Sequence, residues 1–273
     1  MNANGLYSGL DGGAVNGVYN GVNGGVGNGA ISNEIYRSSN FLNICRRGLV
    51  LNLDAGIRSS YIGSGVTWND LTANANVATL FGPVFNTLNQ GYLMFDGIND
   101  YADIQSSSSY KPQFPVSLSV FFKLNTLPST LYYLIKTDNP SNSNHSGVEI
   151  TISPTSINAA FGNNTGNTAS GRRTYTATQT LVIDTWYNIT AVFPDNTSCV
   201  IYLNEKPLTT SFTSGGGTTL VYAGSPASIG YRIDAIPSYF LNGNISNVMI
   251  YNSTLTVAEV TQNYLALKSR YNL

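Results

Sequence analysis

Charged side chains are scarce in this sequence of 273 residues. Asp, Glu, Lys and Arg make up 10% of it, against about 25% in typical soluble domains. Thirteen basic and 14 acidic residues leave a net charge of -1. A nucleic-acid-binding protein needs a cluster of Lys and Arg to neutralise phosphates. The composition therefore excludes nucleic acid as an expected partner, and it favours a surface of hydroxyl and amide groups that suits sugars or other proteins.

Long apolar runs and paired cysteines are also missing. No segment approaches the roughly 20 consecutive apolar residues of a membrane span, and the start lacks the basic and apolar regions of a secretory signal. Cys45 and Cys199 match neither a disulfide framework nor a metal-ligand spacing. We therefore expect no membrane span and no signal peptide.

Residues 1–33 contain a repeat with a period of four. Glycine occupies positions 5, 9, 13, 17, 21, 25 and 29, and Leu, Val or Ala follows each one. Such a segment buries little by itself, so it is either a low-complexity tail or an arm that docks on a partner or on copies of itself. In the docking interpretation the contact residues are Leu6, Leu10, Val18, Val22 and Val26, and residues 34–47 form a linker.

Residues 48–273 have the pattern of an all-β domain. Short β-branched and aromatic runs alternate with clusters of Gly, Asn, Ser and Pro. Residues 116–124 (VSLSVFFKL) alternate apolar and polar side chains, with Phe121 as the exception. We predict an antiparallel two-sheet jelly-roll sandwich. A capping box at Thr256 and Glu259 predicts one short C-terminal helix, whose apolar stripe runs from Val257 to Tyr271.

The strand segments resemble the concanavalin A-like lectin/glucanase superfamily, in particular its laminin-G-like jelly-roll branch. The matching pieces include GLVLNLDA at 48–55, YLMFDGINDYADI at 92–104, DTWYNITAVF at 184–193 and CVIYLNEKPL at 199–208. The series, including the closing ALKSRYNL, is similar to the version found in structural proteins of phages and large DNA viruses. This resemblance implies a virion or assembly setting, which the fold alone does not establish.

No catalytic residues are predicted. Glucanases of the superfamily carry paired carboxylates on one strand, whereas Glu34, Glu149, Glu205 and Glu259 are isolated in sequence. His145, the one histidine, lies in a polar loop with no nucleophile motif, and we expect it on the surface. The sequence therefore predicts a protein that is not an enzyme.

One turn contains the candidate metal ligands Asp96, Asn99, Asp100 and Asp103. Carboxylate and amide oxygens are ligands that Ca²⁺ prefers, and the resemblance implies calcium at the rim of such domains. The alternative is ordinary turn chemistry around Gly97. No cofactor is required, and Ca²⁺ is the one candidate.

Candidate ligand-binding residues are the aromatic, amide and charged side chains of four predicted loops. Aromatic faces flanked by amides and carboxylates are suited to sugars, although a tryptophan in such a position more often packs in a core. The candidates are Tyr61, Trp68, Asn69, Asn164, Arg172, Tyr231 and Asp234.

Two functions follow as hypotheses. The first is a virion-associated structural or decoration protein, assembled in a host cytoplasm, whose arm docks on a capsid, tail or fibre protein or forms a homo-oligomer while the sandwich contacts a cell-surface glycan. The second is a freestanding carbohydrate-binding lectin, with or without calcium.

Overall fold

The computed structural model describes residues 44–232 and 239–273. In chain order the strands are β1 (Leu49–Asp54), β2 (Thr67–Asn69), β3 (Val77–Phe81), β4 (Val84–Asn86), β5 (Tyr92–Asp96), β6 (Tyr101–Ile104), β7 (Val116–Leu124), β8 (Tyr132–Lys136), β9 (Ser146–Ile152), β10 (Ser156–Asn163), β11 (Arg172–Thr178), β12 (Trp186–Phe193), β13 (Val200–Leu203), β14 (Lys206–Pro207), β15 (Ser211–Ser214), β16 (Ala227–Ile229) and β17 (Asn242–Tyr251). One α-helix, α1 (Val257–Lys268), follows.

The strands form two antiparallel sheets. The eight-stranded sheet has the order β14-β13-β12-β7-β17-β5-β4, and β1 pairs with the C-terminal half of β17. The nine-stranded sheet has the order β15-β11-β10-β9-β8-β16-β6-β3-β2. The predicted all-β sandwich with one short C-terminal helix is therefore confirmed. In the described ranges, no helix is long and apolar enough to cross a membrane.

The core lies between the two sheets, as the period of two in β7 predicts. Its alternate residues Val116, Leu118, Val120, Phe122 and Leu124 are fully buried members of the core cluster. Because successive side chains of a strand point to opposite faces, the residues between them face outward, towards α1. The exception noted in the sequence pattern, Phe121, stacks there on Tyr264 and Tyr271.

Helix α1 begins where its capping box predicts. The Glu259 N–H donates to Thr256 Oγ1 at 3.3 Å, and the Thr256 N–H donates to Glu259 Oε2 at 2.8 Å. The predicted apolar stripe is buried at Val260, Tyr264, Leu267 and Tyr271. Its first residue, Val257, is 56% exposed, because it lies in the first turn, before the helix reaches the sheet.

The chain enters and leaves the domain beside this helix. The Cys45 N–H donates to Asn263 Oδ1 at 2.7 Å, so residues assigned to the end of the linker contact α1. After the helix, the Arg270 guanidinium holds both carboxylate oxygens of Asp54 at 2.7 and 2.9 Å in a fully buried ion pair. These contacts join the two ends of the described chain on the outer side of the eight-stranded sheet.

Candidate functional site

The outer face of the nine-stranded sheet contains buried polar side chains that do not belong to the core. The strand register aligns Glu149 with Lys136 on one side and with Ala160 on the other, and Ala160 in turn faces Thr174. A second row crosses the same strands next to the first and consists of Thr176, Asn158, Thr151 and Tyr133, with a register shift between Tyr133 and Ile135 in β8. Except for Lys136, the residues of these two rows line a groove.

The groove, which we call the polar groove, has a volume of about 200 Å³ and is bounded by Leu131 at one end and by Thr213 and Ser214 at the other. Its depth follows from the small side chain of Ala160, which lies between the longer Glu149 and Thr174. Because alternate side chains of a strand share one face, no main-chain rearrangement is needed to place these groups together. Hydroxyls, an amide, a carboxylate and a guanidinium line the groove.

A buried ion pair lies at its inner end. Lys136 Nζ is 2.9 Å from Glu149 Oε2 and also donates to the Ser146 carbonyl at 3.0 Å. Lys136 is 1% and Glu149 6% exposed. Burial would raise the pKa of Glu149, but Lys136 and the other cations nearby outweigh burial and hold this pKa at about 2. Glu149 is therefore a carboxylate at neutral pH.

Two further charged or titratable groups surround the pair. Arg232 donates to the Tyr133 hydroxyl at 2.9 Å and to the Ser143 carbonyl at 2.8 Å, so it joins a loop to the sheet. Burial lowers the pKa of His145 to about 4, and the nearby arginines add to this shift, so the imidazole is neutral at pH 7. The expectation that His145 lies on the surface is wrong: it is 3% exposed.

The backbone of His145 lies directly on β10. A Cβ on Gly162 would come within 2.1 Å of the His145 carbonyl carbon, so only glycine allows this close approach. The loop before β9 is fixed further by Asp138, which pairs with Lys111 Nζ at 2.7 Å and accepts from the Ser225 N–H at 2.8 Å. The loop that contains His145 is therefore a fixed part of the fold.

Two donors beside the groove have no hydrogen-bond partner. The Nε of Arg172 and the hydroxyl of Thr174 are both buried and unpaired. Buried polar atoms without a partner are rare in folded proteins, because desolvating them without a hydrogen bond costs free energy. Both residues belong to β11 and line the groove.

An aromatic cluster occupies the other end of the same sheet face. Phe81 stacks on Tyr101 with ring centroids 4.5 Å apart, and Tyr231 contacts Tyr101 at 4.3 Å and stacks on Phe240 at 5.7 Å. Phe81 is 42% exposed. Burial raises the pKa of the neighbouring Asp103 to about 6, and the Tyr231 hydroxyl opposes this shift.

The predicted ligand residues fall into three places. Arg172 lines the polar groove, whereas Asn164 is not one of its lining residues, and the Asn164 N–H donates to the His145 carbonyl at 2.7 Å. Tyr231 belongs to the aromatic cluster. These three remain predictions as ligand contacts.

Three other candidates lie away from the groove. Tyr61 is 4% exposed and packs on Phe85, Trp68 is fully buried in the core cluster, and Asn69 follows it in β2. Asp234 and the arm residues Leu6, Leu10, Val18, Val22 and Val26 lie outside the described residues.

The four predicted metal ligands are distributed over a turn and two sheets. Asp96 Oδ1 accepts from the Ile98 and Asn99 N–H groups at 2.8 and 3.3 Å, and Asp100 Oδ2 accepts from the Asp96 N–H at 3.0 Å. Asp103 belongs to β6 in the other sheet. Within residues 44–232 and 239–273, no group of three or more His, Cys, Asp and Glu could hold a metal ion. Calcium at this turn remains a prediction.

Sequence reasoning did not identify the groove residues Glu149, Ala160 and Thr174, nor Lys136, which pairs with Glu149. A signal for Glu149 is present, since it alternates with Val148 and Ile150 and so must face away from the core. The sequence does not show that Lys136 and Ala160 are its neighbours across the sheet.

The chain is similar to one known protein family and to several solved structures. The Laminin_G_3 family, described as the concanavalin A-like lectin/glucanases superfamily, matches residues 96–261, more than half of the chain. No curated protein matches the sequence. Among solved structures, a sialidase of Trypanosoma rangeli is 16% identical with a TM-score of 0.56, over 82% of this chain and 33% of its own. The same sialidase in complex with sialic acid has a TM-score of 0.57 at 16% identity.

A second kind of neighbour is a receptor binding domain of botulinum neurotoxin, C/D mosaic serotype, which is 12% identical with a TM-score of 0.59 over 80% of this chain and 51% of its own. The chain thus spans a third to a half of the length of these proteins. At such identities the likeness shows a shared fold.

The comparison corrects one expectation. The sequence predicts a protein that is not an enzyme, because its glutamates are isolated along the chain. The neighbours with this fold include a sialidase and a variant that displays trans-sialidase activity, so the expectation is contradicted and we withdraw it.

Proposed function

This chain belongs to the concanavalin A-like lectin/glucanases superfamily, and we propose that its sandwich domain binds glycans in the polar groove. The observation that carries the proposal is the line of hydroxyl, amide and charged groups, at fixed spacing, on the outer face of the nine-stranded sheet. Binding sites for small ligands are concave and contain a few precisely placed polar groups.

The chemistry of the groove suits a sugar. The Thr176 hydroxyl donates to Asn158 Oδ1 at 2.9 Å and contacts the Thr213 hydroxyl at 2.8 Å, so these groups are held in position before a ligand arrives. Side chains held in this way lose little conformational entropy on binding. Tyr133, whose hydroxyl is held by Arg232, adds an aromatic ring to the floor.

Two of the similar solved structures support the proposal through what they are or contain. One is a sialidase whose structure contains sialic acid, and another is a receptor binding domain of a neurotoxin. Both are similar to this chain in fold.

The test is a groove-filling substitution. Ala160→Leu places a larger side chain on the groove floor, and we expect it to reduce binding to any glycan that the wild-type domain captures on a glycan array by at least about tenfold. Val84→Leu is the matched control, because it adds one methylene group to a residue that is 58% exposed on the other sheet. Unchanged binding by Ala160→Leu, or no captured glycan with the wild type, would reject the proposal.

We also propose that residues 1–33 anchor the domain in a virion or a comparable assembly, either on a capsid, tail or fibre protein or through a homo-oligomer. The seven-fold glycine repeat ahead of a charge-poor sandwich supports this proposal. Deleting residues 1–33 should change the oligomeric state or abolish partner binding while glycan binding persists. A deletion variant with the same mass in solution and the same partner binding would instead favour a freestanding lectin.

A further inference from the structure

The charged groups around the polar groove are unbalanced. Among the described residues, Lys136, Arg172 and Arg232 are the cations that act on His145, and Glu149 is the one carboxylate. The imidazole of His145 is itself neutral at pH 7, as its low pKa requires. The ion pair of Lys136 and Glu149 is neutral, so Arg172 adds one positive charge to the lining of the groove. Two opposite charges attract each other more strongly in a partly enclosed site than in open water, because the effective dielectric constant of the site is lower.

Within this cluster, Arg172 differs from Lys136. The ammonium of Lys136 already has a carboxylate at 2.9 Å and a carbonyl at 3.0 Å. Arg172 is half-buried, and its buried Nε has no hydrogen-bond partner. A guanidinium has five N–H donors in a planar fork that fits a carboxylate in a bidentate manner. Arg172 is therefore a cation in the groove with an N–H donor available to a ligand.

Thr174 provides a second donor at a suitable distance. Alternate residues of a strand lie roughly 7 Å apart on the same face. Thr174 and Arg172 are alternate residues of β11, so the unpaired Thr174 hydroxyl and the unpaired Arg172 Nε belong to neighbouring side chains on the groove face. A planar acceptor with two oxygens, placed between them, can accept from both. Ala160, beside Thr174, leaves room for the ring that carries this acceptor.

We propose that the ligand of the polar groove is an acidic saccharide, a uronic or nonulosonic acid residue, whose carboxylate is held by Arg172 and Thr174 while its hydroxyls lie along Asn158 and Thr176. This proposal rests on glycan binding in the groove and adds to it the class of sugar. It assigns Arg172 and Thr174 as specificity-determining residues, and no covalent step is involved.

The experiment compares sugars that differ only in the acidic group. Methyl glucuronide and methyl glucoside share one ring and differ by a carboxylate against a hydroxymethyl group. Sialyllactose and its methyl ester form a second pair, and a sulfated lactose offers the same charge in another geometry. Binding of each sugar to the full chain is measured by calorimetry or by NMR titration at low and high salt, because screening weakens an ionic contact.

We expect at least one acid to bind roughly 10- to 100-fold more tightly than its neutral twin, the range of a charge-assisted hydrogen-bonded pair. Arg172→Gln should lower the affinity for the acid much more than the affinity for its neutral twin, and Arg172→Lys should restore only part of the difference, because the ammonium lacks the planar fork. Thr174→Val should lower the affinity for the acidic sugar by roughly 5-fold, because one hydrogen bond is lost. Val84→Leu should change nothing. If Arg172→Gln does not fold, the acid and neutral pairs on the wild type still decide.

The outcomes separate the two proposals. Equal affinity for acid and neutral twins, together with loss of both in Ala160→Leu, overturns the acidic ligand and leaves glycan binding intact. A preference for the sulfated sugar over every carboxylate overturns the assignment of a planar acid. No binding of any sugar overturns both.

Discussion

The buried ion pair of Lys136 and Glu149 allows a quantitative test of the structure. We consider three variants: Lys136→Met, Glu149→Gln and the double variant Lys136→Met/Glu149→Leu. Each single change leaves one member of the pair without its partner. The double change replaces both charges by apolar side chains of similar volume. Both side chains lie on the outer face of the nine-stranded sheet, close to the loop that contains His145.

The expected magnitudes follow from burial. With exposures of 1% and 6%, neither side chain recovers hydration when its partner is removed. Removing one partner of such a pair typically costs about 3–5 kcal/mol, whereas replacing both is often neutral or stabilising. Here the Ser146 carbonyl also loses the Lys136 donor, which costs about 1 kcal/mol. The double variant should therefore be more stable than either single variant and within about 2 kcal/mol of wild type.

The assay is equilibrium unfolding in urea at pH 7, followed by tryptophan fluorescence, since Trp68 and Trp186 are both buried. Native domains are stable by about 5–15 kcal/mol, so a loss of 3–5 kcal/mol moves the midpoint clearly without abolishing the transition. A double variant that is less stable than both single variants would contradict the reasoning. So would single variants that each lose less than about 1 kcal/mol, because that outcome requires the pair to be solvated.

Four other outcomes are expected. The pKa of His145 is about 4 in the folded protein and 6.5 in the unfolded chain, so the free energy of unfolding falls as pH decreases from 6.5 to 4. His145→Asn should therefore reduce the change of the urea midpoint with pH over that range. The effect should be clearest in an Asp103→Asn background. Asp103 has the opposite sign, because its folded pKa of about 6 exceeds the usual 3.8; Asp103→Asn should raise the free energy of unfolding by about 1 kcal/mol above pH 6 and change nothing below pH 4. Arg270→Met leaves the Asp54 carboxylate buried and should cost about 3–5 kcal/mol in thermal melts, and full stability in this variant would contradict the buried ion pair. Thr256→Ala should cost about 1 kcal/mol and Thr256→Ser much less, whereas equal loss in both would argue against capping by the hydroxyl.

The sequence predicts the sandwich because polarity alternates where one face of a strand meets the core. In β7 the apolar residues that the pattern assigns to one face are the ones that pack between the sheets. Helix α1 is predictable for a similar reason: the capping box of Thr256 and Glu259 is local in sequence. Signals that depend on a few neighbouring residues are therefore read correctly.

The polar groove depends on distant residues, and the sequence reveals little of it. Glu149 and Lys136 are 13 positions apart, and Arg232 reaches Ser143 across 89 positions. Alternation places Glu149 on the outer face, where a solvated carboxylate would be the ordinary interpretation. The prediction for His145 is wrong for the same reason. A loop rich in Asn and Ser suggests exposure, but Gly162, which is distant in sequence, allows this loop to lie on the sheet. Arg172 is found from sequence as a charged loop residue, but its neighbours are not.

Cys45, near the start of the described chain, is hydrogen-bonded to Asn263 of helix α1. This contact and helix α1 lie behind the eight-stranded sheet, while the polar groove opens on the far side of the other sheet. Two layers of strands thus separate the point where the described chain begins from the mouth of the groove. A molecule that binds in the groove would therefore not compete with the Cys45 segment for the same face of the sandwich.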